Sequence, residues 1–518
     1  LQLVATPHQI ESNAGPVLPD LMRRGDHPIV HDASSSLTGK LWIMGIFDSL
    51  FGAINDLTWG WSLVPILVIF GVFITLLTGF VQFKFFKRMF RVLSSNNQSA
   101  DPNAISARQA LLVSVGGRVG GGNIAGVAVA ITLGGPGAVF WMWAIAIVGM
   151  ATSLVECSLA QLYKRRQENG DFRGGPARSI IHGLGEQYRW LAIVYAICLI
   201  ASFAIGFNAF QGNTVAGAAE ESLGLSRFVT GAVLTVIAGF VVFGGIHRIA
   251  KVADVVIPVM AVAYLLMAFV IILINVADVP GVFVSIIANA FGWEEAVGGG
   301  MGAAIANGLR RGLFSNEAGL GSAPNVAATA DVRHPISQGI TQSFSVFIDT
   351  IIICTCTALV ILLSDVYQPG ADIDGVVLTQ QSLVSHLGEW TQYFLTFIIL
   401  LFAFSSIIYN YYLGENALTV ITKHPMAINV LRVAIMGIVF LGATAPGATS
   451  VFAFSDPAMG LLALVNLVVI MMLLPTCLRI LQDFRKQLAA GVERPVLNPD
   501  DFPDLDLDRT AWTGKVKD

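Results

Sequence analysis

Gly116-Gly117-Arg118-Val119-Gly120-Gly121-Gly122-Asn123-Ile124-Ala125-Gly126 lies inside an apolar stretch long enough to cross a bilayer. Glycine weakens a helix, and an opened backbone leaves N–H and C=O groups unpaired in hydrocarbon. Such a run persists at membrane depth only where protein or a water-lined cavity satisfies those groups. A second glycine-rich stretch runs from Gly298-Gly299-Gly300 through Gly308, Gly312 and Gly319 to Gly321, in the other half of the chain. Two interrupted spans in separate halves point to a solute site at the bilayer midplane. Close helix packing of the small-xxx-small kind is the other use of such glycines.

Working outward, composition sets the class. With 55 % hydrophobic and 12 % charged residues among 518, and a mean hydropathy of +0.71, an ordinary soluble domain is excluded. Apolar stretches of about 20 residues recur, each matching a hydrocarbon core of about 30 Å. An outer-membrane barrel would instead alternate weakly over segments of about 10 residues. The chain reads as an all-α polytopic membrane protein. Its net charge of −4 selects no partner beyond the lipid bilayer, and nothing suggests nucleic acid. Cys157, Cys198, Cys354, Cys356 and Cys477 lie in or beside apolar spans, as packing residues do, with no disulfide or zinc spacing. No cleavable signal is visible, and a start at Leu1 fits a processed or truncated N-terminus.

Eleven spans are expected, at 59–80, 110–132, 137–160, 189–211, 228–246, 252–275, an interrupted region 281–330, 337–363, 390–413, 428–445 and 452–476. Residues 1–40 read as a polar tail and 41–56 as an amphipathic helix at the interface. The transmembrane domain spans 59–476, and 477–518 forms a C-terminal tail. Lysine and arginine crowd one side: Lys84, Lys87, Arg88, Arg91 and Arg108, then Lys164, Arg165, Arg166, Arg173 and Arg178, with more in the tail. The opposite side holds only Arg23, Arg24, Lys40 and Arg227. The positive-inside rule then places the N-terminus outside and the C-terminus in the cytoplasm. With the first span set aside, spans 2–6 and 7–11 form two sets of five, each opening on its interrupted span. An odd number per set inverts the second, as in inverted-repeat transporters.

At this point the chain resembles the alanine or glycine:cation symporter family, within the transporters of LeuT-like 5+5 fold. The resemblance rests on Gly120-Gly121-Gly122-Asn123-Ile124-Ala125-Gly126-Val127, Gly134-Gly135-Pro136-Gly137-Ala138-Val139-Phe140-Trp141 and Glu156-Cys157-Ser158-Leu159-Ala160. It extends to Phe172-Arg173-Gly174-Gly175-Pro176, Phe314-Ser315-Asn316-Glu317-Ala318-Gly319-Leu320-Gly321 and Phe402-Ala403-Phe404-Ser405-Ser406. These stretches cover about residues 46–510. The family often has a hydroxyl residue where this chain has Gly121, and position 118 varies in it. The resemblance implies a bacterial inner-membrane symporter for a small neutral amino acid, with Na⁺ as the coupling ion, H⁺ as the alternative, and no organic cofactor.

An amino acid brings a carboxylate and an ammonium, both costly to dehydrate. Backbone N–H groups freed at Gly120, Gly121 and Gly122, beside Gly117, Arg118 and Asn123, suit the carboxylate at a positive helix-dipole end. Unwound carbonyls and hydroxyls suit the ammonium and a hard cation. The resemblance implies a sodium site from the Gly116 and Val119 backbone oxygens with Ser405 and Ser406. Those hydroxyls could instead bond their own helix at i−4. It also places Gln211 at the substrate, although a polar residue at a helix end can simply be interfacial. Ser315 and Asn316 lie in the second interrupted span next to Phe314, whose ring could cap a pocket for alanine or glycine.

Charges at membrane depth are Arg118, Arg310 and Arg311, against Glu156, Glu317 and Asp349. Structural ion pairs and hydrogen-bonded gates are one reading; proton carriage or ion sensing at Asp349 or Glu317 is the other. Asp349 shares a helix face with Gln338, Gln342 and Ser345, which points it into the bundle. Arg118, placed where related transporters put a second cation, leads to the expectation of one sodium ion per cycle. No Walker lysine, His-Glu-x-x-His or Gly-x-Ser-x-Gly motif supports an enzyme. No nucleotide-binding domain supports a pump, and no filter repeat supports a channel.

Overall fold

A computed structural model describes residues 52–53, 55–94, 104–292, 300–368, 375–445 and 448–513. Two units divide between Ala53 and Ile54. Only Gly52 and Ala53 of the first are described, both helical. The expected tail 1–40, nearly all of the expected interfacial helix 41–56, and Gly298 and Gly299 lie outside the described residues.

Hydrophobicity and length together make the second unit a helical membrane protein. Among the described residues, eight helices are long and apolar enough to cross a bilayer, nine if the bent pair Ala107–Arg118 and Gly122–Gly134 counts as one span. The expected segments fall on helices, but the count of eleven is not reached by this measure. Arg227–Val242 has 16 residues and Val279–Ala290 has 12, short of the roughly 20 that a span needs. The helix expected over 189–211 runs on to Leu223, and that expected over 452–476 runs on to Ala489. The expected C-terminal tail therefore begins inside a helix.

Burial sorts these helices. In Gly137–Leu162 and Trp390–Ile421, 67 % of the most apolar window is buried, against 22 % in Pro425–Thr444. The first pair forms the middle of the bundle, and Pro425–Thr444 presents most of its surface outward. A capping box starts the first interrupted helix: Ser106 Oγ accepts from Gln109 N at 3.1 Å and Gln109 Oε1 from Ser106 N at 3.0 Å. That helix stops at Arg118, Val119 is extended, and the chain resumes at Gly122 with a 53° bend.

The second interruption is not where the glycine pattern alone places it. Gly300–Asn316 is one continuous helix that includes Gly308 and Gly312. A Cβ on Gly308 would lie 2.4 Å from the Ala138 oxygen, and one on Gly312 would lie 2.6 Å from Ile145 Cγ2. These two glycines serve close packing against Gly137–Leu162. The break follows at Glu317–Ser322, where Glu317 takes φ +55°, Gly319 φ +84° and Gly321 φ +86°, before the short helix Ala323–Ala327. Three π-helical stretches, Gly122–Gly126, Ile200–Phe207 and Phe347–Cys354, adjoin these breaks. Such wide turns are rare and gather where a helix must redirect side chains.

Candidate functional site

The two interruptions meet. Asn123 Nδ2 donates to Ser315 Oγ at 3.0 Å and to Asp349 Oδ1 at 2.6 Å. Ser315 Oγ and Thr350 Oγ1 each donate to Asp349 Oδ2 at 2.8 Å. One asparagine thus ties the first interrupted helix to the second and to Pro335–Leu362. All four side chains are buried. Gln338, Gln342 and Ser345 are buried on the same face as Asp349.

The N–H groups released at the first break are held by side-chain oxygens. Gly120 N donates to Asn123 Oδ1 at 2.9 Å, and Gly121 N donates to Gln211 Oε1 at 3.2 Å. These amide oxygens occupy the place a carboxylate would take at a helix end. Gln211 does this from mid-helix, eleven residues or more from either end of Glu186–Leu223, so the interfacial reading of it falls away. Bulk at this point is excluded on several sides. A Cβ on Gly120 would sit 2.6 Å from Ser406 Oγ, one on Gly121 3.0 Å from Phe210 Cε1, and one on Gly122 3.3 Å from Phe314 Cδ1.

On the other side of the break, Ser405 Oγ donates to the Gly116 oxygen at 2.8 Å, and Ser406 Oγ donates to the Gly117 oxygen at 3.1 Å. Ser406 also lies 3.3 Å from the Gly116 oxygen, and Ser405 bonds Phe402 O in its own helix at 2.8 Å. Ser405 thus bonds its own helix at i−3 rather than i−4, and both hydroxyls also reach across to the first interrupted helix. The carbonyls they reach are those of Gly116 and Gly117, while Val119 forms the extended end of the helix. Two carbonyl and two hydroxyl oxygens grouped in a buried spot are the hard donors that a sodium ion takes. Gly117 must lack a side chain, since a Cβ would lie 2.3 Å from the Tyr409 ring.

Arg118 reaches away from this group. Its Nη1 donates to Gln342 O at 3.3 Å and to Ser345 Oγ, and its Nη2 donates to Ser153 Oγ at 3.3 Å. Asn316 closes the second helix end, accepting from Ala318 N at 3.0 Å. The carboxylates expected to balance the arginines are held by neutral donors instead. Glu317 accepts from Ser322 Oγ at 2.5 Å and from Tyr409 OH at 3.0 Å. Glu156 accepts from Gly319 N at 3.2 Å and from Asn466 Nδ2 at 2.9 Å. Arg311 pairs with Asp456 at 3.3 Å, and Arg310 lies over the Trp59 ring at 5.6 Å. Among the described residues no group of three or more His, Cys, Asp or Glu side chains could hold a metal ion.

The profile of the sodium:alanine symporter family matches residues 44–499, which include every residue of this site. The chain belongs to the sodium:alanine symporter family. Within that family it is 45 % identical to the probable sodium/glutamine symporter GlnT of Bacillus subtilis (strain 168), over 88 % of this chain and 94 % of that one. It is 45 % identical to the amino-acid carrier protein AlsT of the same strain, over 89 % and 96 %. The sodium/alanine symporter AgcS of Methanococcus maripaludis is 36 % identical over 82 % and 95 %. A crystal structure of the Eremococcus coleocola manganese transporter aligns at a TM-score of 0.46 and 14 % identity, over 72 % of this chain and 78 % of that one. That likeness is too low to carry an argument.

Several residues of this symporter's site escape sequence reasoning. Tyr409 packs on Gly117 and bonds Glu317, and its place three residues after Ser406 was the available signal. Thr350 follows Asp349 directly. Asn466, a lone amide in an apolar helix, joins Glu156 to the Gly319 oxygen at 2.9 Å. Phe203 and Phe207 look like ordinary core in sequence.

Proposed function

We propose that this chain is a sodium-coupled symporter of a small neutral amino acid, alanine or glycine, in a bacterial plasma membrane. In this reading the solute sits between the two interrupted helices, as in a LeuT-like fold, and alternating access moves around it. The observation that carries it is the set of hydrogen bonds at the first break, Gly120 to Asn123, Gly121 to Gln211 and Asn123 to Ser315 of the second interrupted helix, beside the oxygens around Ser405 and Ser406.

The solute carboxylate takes the Gly120 and Gly121 N–H groups now held by Asn123 and Gln211, and Gly122 leaves room for its approach. The ammonium turns to carbonyl and hydroxyl oxygens at the same breaks, with Ser315 and Asn316 on the facing helix. Phe314 covers the side chain. Sodium binds the Gly116 and Gly117 oxygens with Ser405 and Ser406, and Val119 ends the turn that presents them. Coupling follows if the first interrupted helix is fully formed only when both cargoes are in place. Proton coupling is the second reading, favoured by the buried Asp349 carboxylate and by a relative whose name is putative sodium/proton-dependent alanine carrier protein YrbD, 37 % identical.

Uptake of radiolabelled alanine into proteoliposomes tests this. An inward sodium gradient should drive accumulation, potassium should not, and Ser406→Ala should raise the half-saturating sodium concentration several-fold. Accumulation that ignores sodium but follows an imposed pH gradient would replace the first reading with the second.

A further inference from the structure

Three aromatic rings stack in a row against the site with a fourth edge-on, and three of the four belong to one helix. Phe314 ends the second interrupted helix beside Ser315 and is buried. Its ring stacks on Phe207 at 4.5 Å between centroids and 17° between planes. Phe210 meets it edge-on at 5.5 Å. Phe207 in turn stacks on Phe203 at 4.5 Å and 16°. Across the ring row, the Arg311 guanidinium lies 5.6 Å from the Phe314 centroid and is anchored to Asp456. Phe203 and Phe207 lie in the π-helical stretch Ile200–Phe207.

Phe314 is the ring that a Cβ on Gly122 would strike first, at 3.3 Å. Any solute side chain placed at that break meets the same ring. A ring packed face-on cannot retreat unless the ring behind it does, because interiors are close-packed and yield little. Phe207 is the ring behind it. We propose that Phe207, which does not flank the glycine break itself, is a positioning residue that sets the largest amino-acid side chain the site accepts. It acts by fixing how far Phe314 can withdraw. This rests on the solute placement argued above and adds the source of its size limit. Phe203 supports Phe207 from the far side, so its influence is one contact weaker.

Phe207→Leu and Phe207→Ala, with Phe203→Ala as the outer control, test this in proteoliposomes by the ratio of sodium-driven alanine to leucine uptake at low concentration. One methylene in an apolar pocket is worth about 10–200-fold in discrimination. Phe207→Ala should therefore lower the alanine-to-leucine ratio about tenfold or more. Phe207→Leu should lower it less, and Phe203→Ala least, with the half-saturating sodium concentration unchanged in all three. A ring with a packing role alone would change melting temperature and leave the ratio where it was. A wild-type ratio in a folded Phe207→Ala, or in Phe207→Leu if alanine there prevents folding, would overturn the proposal. So would loss of folding in both variants, which would mark the ring as a packing element. Wild-type protein that accumulates no neutral amino acid would instead remove the functional reading underneath.

Discussion

Asp349 accepts three hydrogen bonds, from Asn123, Ser315 and Thr350, and each donor comes from a neutral side chain. A carboxylate suits that setting because it offers acceptors only. Asparagine at 349 would replace one oxygen by an NH₂ facing the same donors. An unsatisfied buried polar group costs about 1–3 kcal/mol, so Asp349→Asn should lower stability by about that amount and loosen the tie between the two interrupted helices. Thermal unfolding in detergent measures the first effect, and the sodium dependence of alanine uptake measures the second. Unchanged melting together with unchanged coupling would show the carboxylate to be replaceable. Asp349 was legible in the sequence because charge is rare at membrane depth and its face carries Gln338, Gln342 and Ser345. Its partner Thr350 was not, since a threonine in an apolar helix usually bonds its own backbone.

At the scale of elements, the first interruption was legible and the second only in outline. Gly120–Gly122 and the spaced pair Gly308 and Gly312 both mark glycine-rich spans, yet the first opens the backbone and the second lets two helices touch. The difference lies in the neighbour, Ala138 and Ile145 for the second pair, which no local pattern reveals. The end of the Gln211 helix was misplaced for a related reason. Gly212 and Asn213 interrupt its apolar pattern, but a Cβ on Gly212 would sit 2.3 Å from Val439 O, and Asn213 Nδ2 donates to Gly442 O at 3.2 Å. Packing against Pro425–Thr444 carries the helix through them.

The C-terminal segment is an element that composition presents only as a charged tail. It is strapped to the helix ends beside it: Leu497 N donates to Arg333 O at 2.9 Å and Trp512 Nε1 to Leu162 O at 3.0 Å. Lys164 Nζ lies 4.2 Å from the Phe172 ring centre and 4.5 Å from that of Trp512. Asp506 pairs with Arg165 at 2.5 Å and with His182 at 2.7 Å. Burial lowers the His182 pKa below 6.5, aided by Arg165 and opposed by Asp506. Burial would raise Asp506, but its bonds to His182 and Arg165 outweigh that and hold it below 3.8. Both shifts have one sign: the docked strap is favoured above the free His value and loses that support as pH falls through the lowered one. Wild-type protein should therefore lose melting temperature between about pH 7 and about pH 5, and His182→Gln should lose less over the same window. Parallel curves for the two proteins would rule this out. Most of these groups are solvent-accessible, so the effect should shrink in high salt.

At the scale of the whole molecule, two sets of contacts hold the second break. The Arg311–Asp456 pair, with Trp59 Nε1 donating to Asp456 O at 2.8 Å, ties the helix that leads into the break to Ala448–Ala489. The Glu156–Asn466–Gly319 bonds and the Glu317–Tyr409 bond hold residues of the break itself. Arg118, at the end of the first half of the first interrupted helix, places a buried guanidinium beside them. It binds Gln342 and Ser345 on Pro335–Leu362, the helix that carries Asp349, and Ser153 on Gly137–Leu162. Two like charges 4 Å apart repel by about 4 kcal/mol in a setting of intermediate dielectric. A second sodium ion beside Arg118 would meet that repulsion, whereas the sodium site proposed at Ser405 and Ser406 uses the Gly116 and Gly117 oxygens, which Arg118 does not bond. If the proposed sodium-coupled symport holds, one sodium ion is expected with each neutral amino acid, and each cycle should move one positive charge. Reversal potentials in proteoliposomes, set by opposing sodium and alanine gradients, count that charge directly. The expected value is one per alanine. Two would mean that Arg118 does not exclude a second ion, and Arg118→Gln should then leave the count unchanged.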